Sequence, residues 1–216
     1  MSNIRGKRFA VLLCAEDSEY VKKKYGGYSG VFMKMLAEEG EIWEVYKVAS
    51  GEFPQDDDLS LYDGFVISGS CSDAHGNDKW IHDLITLLNK LQSMNKKTLG
   101  ICFGHQIREL PPKAEVLGWS DKTGIEMFKY GDHMMGIQGH PEYSTDILFQ
   151  IIDRLTQRDF IMEAVAVEAR EKAALWDPDM EAWKRLCINF LKGYSDINGM
   201  GNEKFCKEVH DILKLN

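Results

Sequence analysis

Apolar residues are distributed along the chain in two alternating patterns. Residues 8–15 (RFAVLLCA) form a short apolar run bounded by charge, as a buried strand does, and residues 41–48 (EIWEVYKV) alternate apolar and polar positions. Between them, residues 30–39 (GVFMKMLAEE) place Val31, Met35 and Leu36 at helical spacing and stop at Gly40. Residues 53–60 read as a polar loop with Pro54 and three consecutive aspartates, followed by a third buried strand at 62–68 (YDGFVIS) that ends in Gly69-Ser70. A helix is predicted over 77–95, with Trp80, Leu84, Leu87, Leu88 and Leu91 on one face, and a fourth strand over 97–102 (KTLGIC). Strands alternating with helices in this way predict an α/β fold, a doubly wound, mainly parallel sheet of flavodoxin-like type.

The pattern changes after residue 107. Residues 115–119, 125–130 and 134–138 are three strand-like runs with no helix between them, which predicts a meander. From Ser144 the chain turns helical, with Ile147, Ile151, Ile152 and Leu155 in one stripe. Asp177-Pro178 suits the cap and first position of a helix carrying Trp183, Leu186 and Phe190. These elements predict one domain over 1–193, and a tail over 194–216 of no assigned role whose expected state is a loosely attached terminus.

With 216 residues, 44% of them hydrophobic, the chain can bury one substantial core. Its 34 acidic against 26 basic residues leave a net charge of -8, which disfavours nucleic acid and anionic membrane surfaces as partners and favours small molecules or proteins. No run approaches the roughly 20 apolar residues of a membrane span. The segment FAVLLCA is at the short end for a secretory signal, has no convincing cleavage site after it, and reads better as the first strand. Cys14, Cys71, Cys102, Cys187 and Cys206 are odd in number, scattered and without a CxxC pair, so they suit reduced thiols in the cytosol rather than a disulfide framework or zinc site.

One of these cysteines has special surroundings. Gly100-Ile101-Cys102-Phe103-Gly104 has the form GxCxG directly after a strand, the thiol counterpart of the GxSxG nucleophile elbow. A tight strand-to-helix turn strains the nucleophile's backbone, and the glycines keep side chains from colliding with it. The thiol then stands at a helix N-terminus, where the dipole favours thiolate. The N–H of Phe103 would face a developing oxyanion, and Gly69, at the end of a neighbouring strand, is the best second donor. A small buried cysteine between ordinary turn glycines would give the same five letters. His105-Gln106 and the downstream run Gly136-Ile137-Gln138-Gly139-His140-Pro141-Glu142 decide for chemistry. A strand ending in Gly-His-Pro-Glu presents an imidazole at its tip, and Glu142 can fold back to orient it. His140 then serves as base to Cys102, and Glu142 fixes its tautomer. His105 is expected to brace the turn and His133 to be structural. Cys71 and His75 lack a second pair to complete a metal site, so neither metal nor cofactor is expected.

With GICFGHQ and GIQGHPEY in view, the chain resembles the class I glutamine amidotransferase-like family, and within it the plant gamma-glutamyl peptidases. The stretch CAEDSEYVKKKYGGYSGVFMKMLAEEGEIWEVYKV, the strand YDGFVISGS and the helix ending LCINFLKG extend the likeness over most of residues 8 to 193. The resemblance implies a cysteine hydrolase that cleaves a gamma-glutamyl amide through a thioester on Cys102. Glutathione or its conjugates are the implied substrates, and Gln106 would help hold the amino-acid head.

One departure matters. Cys102 and His140 are only 38 positions apart (140 minus 102), fewer than the resemblance leads one to expect, because Ile107 runs directly into Arg108-Glu109-Leu110-Pro111. Relatives have a longer helix and several strands at that point. A loss of roughly 50 residues near 107–108 would be expected to expose apolar surface and leave sheet edges unpaired. Two other readings therefore stay open: an inactive or binding-only form, and a glutaminase that supplies ammonia to a synthetase.

Overall fold

In the computed structural model, which describes residues 6–107, 110, 112–175 and 178–194, the apolar runs join one seven-stranded sheet. The strands are β1 (Arg8–Leu12), β2 (Ile42–Tyr46), β3 (Gly64–Ile67), β4 (Lys97–Ile101), β5 (Glu115–Ser120), β6 (Gly124–Tyr130) and β7 (Met134–Ile137). Their spatial order is β2-β1-β3-β4-β7-β6-β5. The first five in that order run parallel, and β6 and β5 continue antiparallel from β7. The architecture is the flavodoxin-like α/β fold, with the expected meander forming one end of the sheet.

Strand periodicity explains why helices cover both faces. In β1, Phe9 and Val11 point to one side and Ala10 and Leu12 to the other, and all four are buried. The first side packs against α2 (Tyr28–Leu36) and α7 (Met180–Lys192) through Phe32, Leu36, Leu186 and Phe190. The second packs against α3 (Lys79–Ser93), which buries Leu84, Leu87, Leu88 and Leu91 of the stripe read from the sequence, with Trp80 partly buried and Ile81 added to it. A strand buried on both faces has no polar alternation, which is why β3 reads GFVI without interruption.

Several expectations need correction. The polar loop contains a 3-10 turn over Asp56–Leu61, with Leu59 tucked inward while the three aspartates stay exposed; Asp56 pairs with Lys90 of α3 at 2.6 Å. Helix α7 begins at Met180, with Asp179 as its cap accepting from the Ala182 N–H at 2.9 Å; Asp177 of the expected cap lies outside the described residues. Two helices carry little signal in the sequence. The short α1 (Glu19–Tyr25) buries only Val21, and α6 (Glu163–Leu175) buries only Ala166. Helix α5 (Thr145–Gln157) completes the set that follows the meander. The expected junction at 108, 109 and 111 lies outside the described residues, as do Cys206 and the tail beyond Tyr194.

Of the expected tail, Tyr194 alone is among the described residues, and its side chain is bonded. Gly193 ends α7 in the left-handed region at φ 63°, and the Tyr194 hydroxyl donates to Glu38 at 2.6 Å while Lys7 Nζ lies 4.4 Å from its ring centre. Beside it, the Lys192 side chain is fully enclosed, with Nζ 2.8 Å from Glu41 and 3.0 Å from Glu38. A buried cation removed from two carboxylates leaves the buried Glu41 uncompensated. Lys192→Ala is expected to cost about 3 kcal/mol in urea unfolding, whereas Lys23→Ala, on the exposed face of α1, leaves the midpoint in place.

Candidate active site

The turn after β4 has the strain its sequence calls for. Cys102 sits at φ 50° and ψ -101°, a region that L-residues rarely occupy. Its two flanking glycines are required by contact. A Cβ on Gly100 would stand 2.3 Å from the Gly104 carbonyl oxygen, and one on Gly104 would stand 2.8 Å from the Ile67 carbonyl oxygen. The helix that follows, α4 (Phe103–Gln106), is a single turn, so any dipole it offers the thiol is small. Phe103 anchors this turn from below, buried and stacked on Trp80 at 5.3 Å between ring centres.

The direct pairing of β4 with β7 delivers the second half of the site. Ile101 is in register with Ile137, and the Cys102 N–H donates to the Ile137 carbonyl at 2.8 Å. Gln138 therefore follows in register beside Cys102, and His140 reaches back over it from the loop. His140 Nδ1 lies 2.8 Å from Glu142 Oε1, and the Glu142 side chain is 1% exposed. The Cys102 side chain neighbours the same imidazole. Burial alone disfavours an imidazolium here, but the Cys102 and Glu142 side chains outweigh it and raise the His140 pKa to about 9.

Gly69 closes the third side. A Cβ at that position would fall 2.5 Å from His140 Cε1 and 3.5 Å from Cys102 Cβ, so the backbone after β3 abuts both side chains. Gln106 is also close: its Nε2 donates to Gln138 Oε1 at 2.9 Å, and Gln138 Nε2 stands 3.8 Å from Cys102 Sγ. Gln138 and Tyr143 are site residues that the sequence reading passed over. The Tyr143 ring lies flat on the His140 imidazole, 4.1 Å between centres and 4° from parallel. Burial, then the nearby Glu142 carboxylate, pushes its hydroxyl pKa up and keeps the phenol neutral.

His105 is buried beside Phe128 and next to the Gln138 side chain, and burial lowers its pKa. His133 packs edge-on against Tyr130, and His75 is exposed on the loop after β3. Among the described residues, no group of three or more His, Cys, Asp or Glu side chains is arranged to hold a metal. No helix among them is long and apolar enough to cross a membrane.

Cys102, His140, Glu142 and Gly69 line a cleft of about 1870 Å³. That exceeds the roughly 300–1,000 Å³ typical of small-molecule sites. Its far wall carries Trp119 from the edge strand β5, 64% exposed, together with Phe160 and Arg154.

No protein-family model matches the chain. It is 41% identical, over 244 aligned positions, to gamma-glutamyl peptidase 5 of Arabidopsis thaliana, covering 88% of this chain and 97% of that protein. Gamma-glutamyl peptidase 3 of the same plant is 39% identical, covering 87% and 97%. Among solved structures, a glutamine amidotransferase from Thermotoga maritima superposes with a TM-score of 0.63 at 15% identity, over 88% of this chain and 97% of its own. One from Methylobacillus flagellatus gives 0.62 at 13%, over 92% and 96%. These two likenesses bear on the fold alone.

The raised pKa of His140 links the site to stability. A group whose pKa is raised from 6.5 to about 9 on folding stabilises the protein fully below 6.5 and ceases to do so as pH rises through 9. Thermal unfolding followed from pH 6 to 10 should therefore show a fall in Tm across that window. The fall should shrink in His140→Gln.

Proposed function

This chain belongs to the gamma-glutamyl peptidase family, and we propose that it is a cysteine-type gamma-glutamyl peptidase that hydrolyses glutathione or glutathione conjugates through a thioester on Cys102. The observation that carries the proposal is the contact of Cys102, His140 and Glu142 at a strained turn on the wall of one cleft. In the proposed reaction the thiol proton has already passed to His140, whose raised pKa favours the imidazolium, and the thiolate attacks the gamma-carbonyl carbon. The developing oxyanion is received by the N–H groups of Phe103 and Gly69. Collapse breaks the C–N bond, and His140 returns its proton to the departing amine. Water, deprotonated by His140, then attacks the thioester and releases glutamate and the free thiol. Glu142 holds the imidazole with Nδ1 protonated throughout. The implied partner is a small anionic peptide, with no nucleic acid, membrane or cofactor. Free thiols at Cys14, Cys71, Cys102 and Cys187 suit the cytosol as the place where this happens.

A second reading, binding without turnover, is favoured by one observation: the helix behind the nucleophile has only four residues. The alignment with gamma-glutamyl peptidase 5 spans 244 positions but takes in 88% of this 216-residue chain, about 190 residues, so about 54 positions of the relative (244 minus 190) have no counterpart here. That difference supports the reading of a shortened chain, and we put the loss near 107–108, where the helix after the elbow stops at one turn, with part of the substrate wall absent.

Intact mass after exposure to a gamma-glutamyl electrophile, with glutamate release from glutathione measured in parallel, separates the two. The peptidase reading predicts one adduct and glutamate release, both lost in Cys102→Ala, and a rate reduced by about 10²–10⁴ in His140→Ala. A folded protein that takes no adduct would leave the binding-only reading standing.

A further inference from the structure

We propose that Gln138 is a further residue of the reaction, its side-chain N–H donating to the sulfur of Cys102, and that Gln106 is the residue that positions it. The inference rests on Cys102 being the nucleophile and assigns a task to two glutamines that the triad leaves unused.

The register of β4 on β7 places Gln138 beside the nucleophile. Thr98, Leu99, Gly100 and Ile101 pair in sequence with Met134, Met135, Gly136 and Ile137, and the Cys102 N–H extends that ladder to the Ile137 carbonyl at 2.8 Å. Gln138 is the next residue along. Its own N–H donates to the Glu126 carbonyl at 2.8 Å, which ties its backbone to β6 on the side away from β4. Gln138 is thus held from both neighbouring strands, and its carboxamide Nε2 lies 3.8 Å from Sγ.

The amide has two ends, and only one suits a thiolate. A thiolate accepts hydrogen bonds and offers none, so the carboxamide oxygen facing it would be repelled, whereas the NH₂ group is attracted. Gln106 removes the ambiguity. Its Nε2 donates to Gln138 Oε1 at 2.9 Å, which engages the oxygen and turns the NH₂ of Gln138 toward the sulfur. The chain of donors runs from Gln106 at the protein surface to Gln138 to Cys102. Because α4 is a single turn, a side-chain donor here supplies stabilisation that a long helix would otherwise provide.

The other titratable groups around the sulfur are His140, with Glu142 behind it, and Tyr143 stacked on the His140 ring; Cys71, on the loop after β3, is near Tyr143. His105 lies beside the Gln138 side chain, with Glu126 near it, so Gln138→Leu adds no charge to this set whereas Gln138→Glu brings a carboxylate next to His105 as well as to the sulfur. The glutamine's contribution can therefore be read separately in Gln138→Leu.

The test is the pH dependence of Cys102 alkylation by iodoacetamide in the full chain, followed by peptide mass with the exposed Cys71 as internal control. It needs no turnover, so it can fail or succeed independently of glutamate release. Gln138→Leu should displace the Cys102 profile upward by about one pH unit relative to the unsubstituted protein, as expected for losing one hydrogen bond to an anion. Gln138→Glu keeps the shape but brings an acceptor to the sulfur, and it should displace the profile at least as far. Gln106→Leu, at an exposed position that poses little risk to folding, should move it by a smaller amount in the same direction. The Cys71 profile should be unmoved in all three. Superimposable Cys102 profiles in Gln106→Leu and in either folded Gln138 variant would overturn the inference, as would a Gln138→Glu profile that matches the unsubstituted protein while Gln138→Leu shifts, since that would make the role one of shape.

Discussion

The pairing of β4 directly with β7 is the constraint on which the site depends. Parallel neighbours ordinarily require a long crossover, and this chain makes the return through two antiparallel strands instead of a helix. The consequence is geometric. The end of one strand carries the thiol, the end of its neighbour carries Gln138 and then the imidazole loop, and the two ends coincide because parallel strands finish on the same edge. A slip of one residue in this ladder would turn the side chains of β7 to the opposite faces and withdraw His140 from Cys102. Met135 and Ile137, buried among Leu99, Ile101 and Met127, oppose such a slip.

Around that ladder the molecule divides labour between rigidity and access. Two apolar layers fix the sheet, while the turn after β4 stores a backbone conformation that nothing local favours. The strain persists because close approaches leave no room for relaxation: Gly104 lies against Ile67, and Gly69 lies against His140. The imidazole is similarly held on three sides, by Glu142 through its Nδ1, by Tyr143 across its face and by Cys102. Positioning of this kind, made from backbone contact and stacked rings, does not require the long helix that the elbow lacks.

What the sequence disclosed follows from where each signal originates. Strands buried on both faces declare themselves as apolar runs, and α3 declares itself by spacing, so the doubly wound sheet was legible. The elbow and the Gly-His-Pro-Glu turn were legible because glycine and proline are placed by local backbone needs. Helix α6 was not, since it buries only Ala166 and leaves Val165 and Val167 partly in solvent, giving no periodic face to read. Gln138 was quoted within its motif but given no task, because its value comes from being opposite Cys102 across a strand pair, and pairing is a tertiary fact. For the same reason the bond from Gln106 to Gln138 could not be read from the sequence, which gave Gln106 only a task toward the substrate. Asp177-Pro178 offered a sound start for a helix, yet Asp179 caps it, a shift within the ordinary uncertainty of helix ends.

The two described ends of the chain meet. Lys7, just before β1, donates to the carbonyl of Lys192, the last residue of α7, and the Lys97 side chain at the start of β4 lies 3.6 Å from where a Cβ on Gly193 would stand. Cys102 follows the opposite end of that same strand. The fold is therefore a nearly closed circuit, with its seam on the edge of the sheet away from the cleft. It follows that the chain could be rejoined at the seam and reopened elsewhere without rerouting a strand, and that a surface tether attached there would hold the molecule with its reactive mouth facing outward.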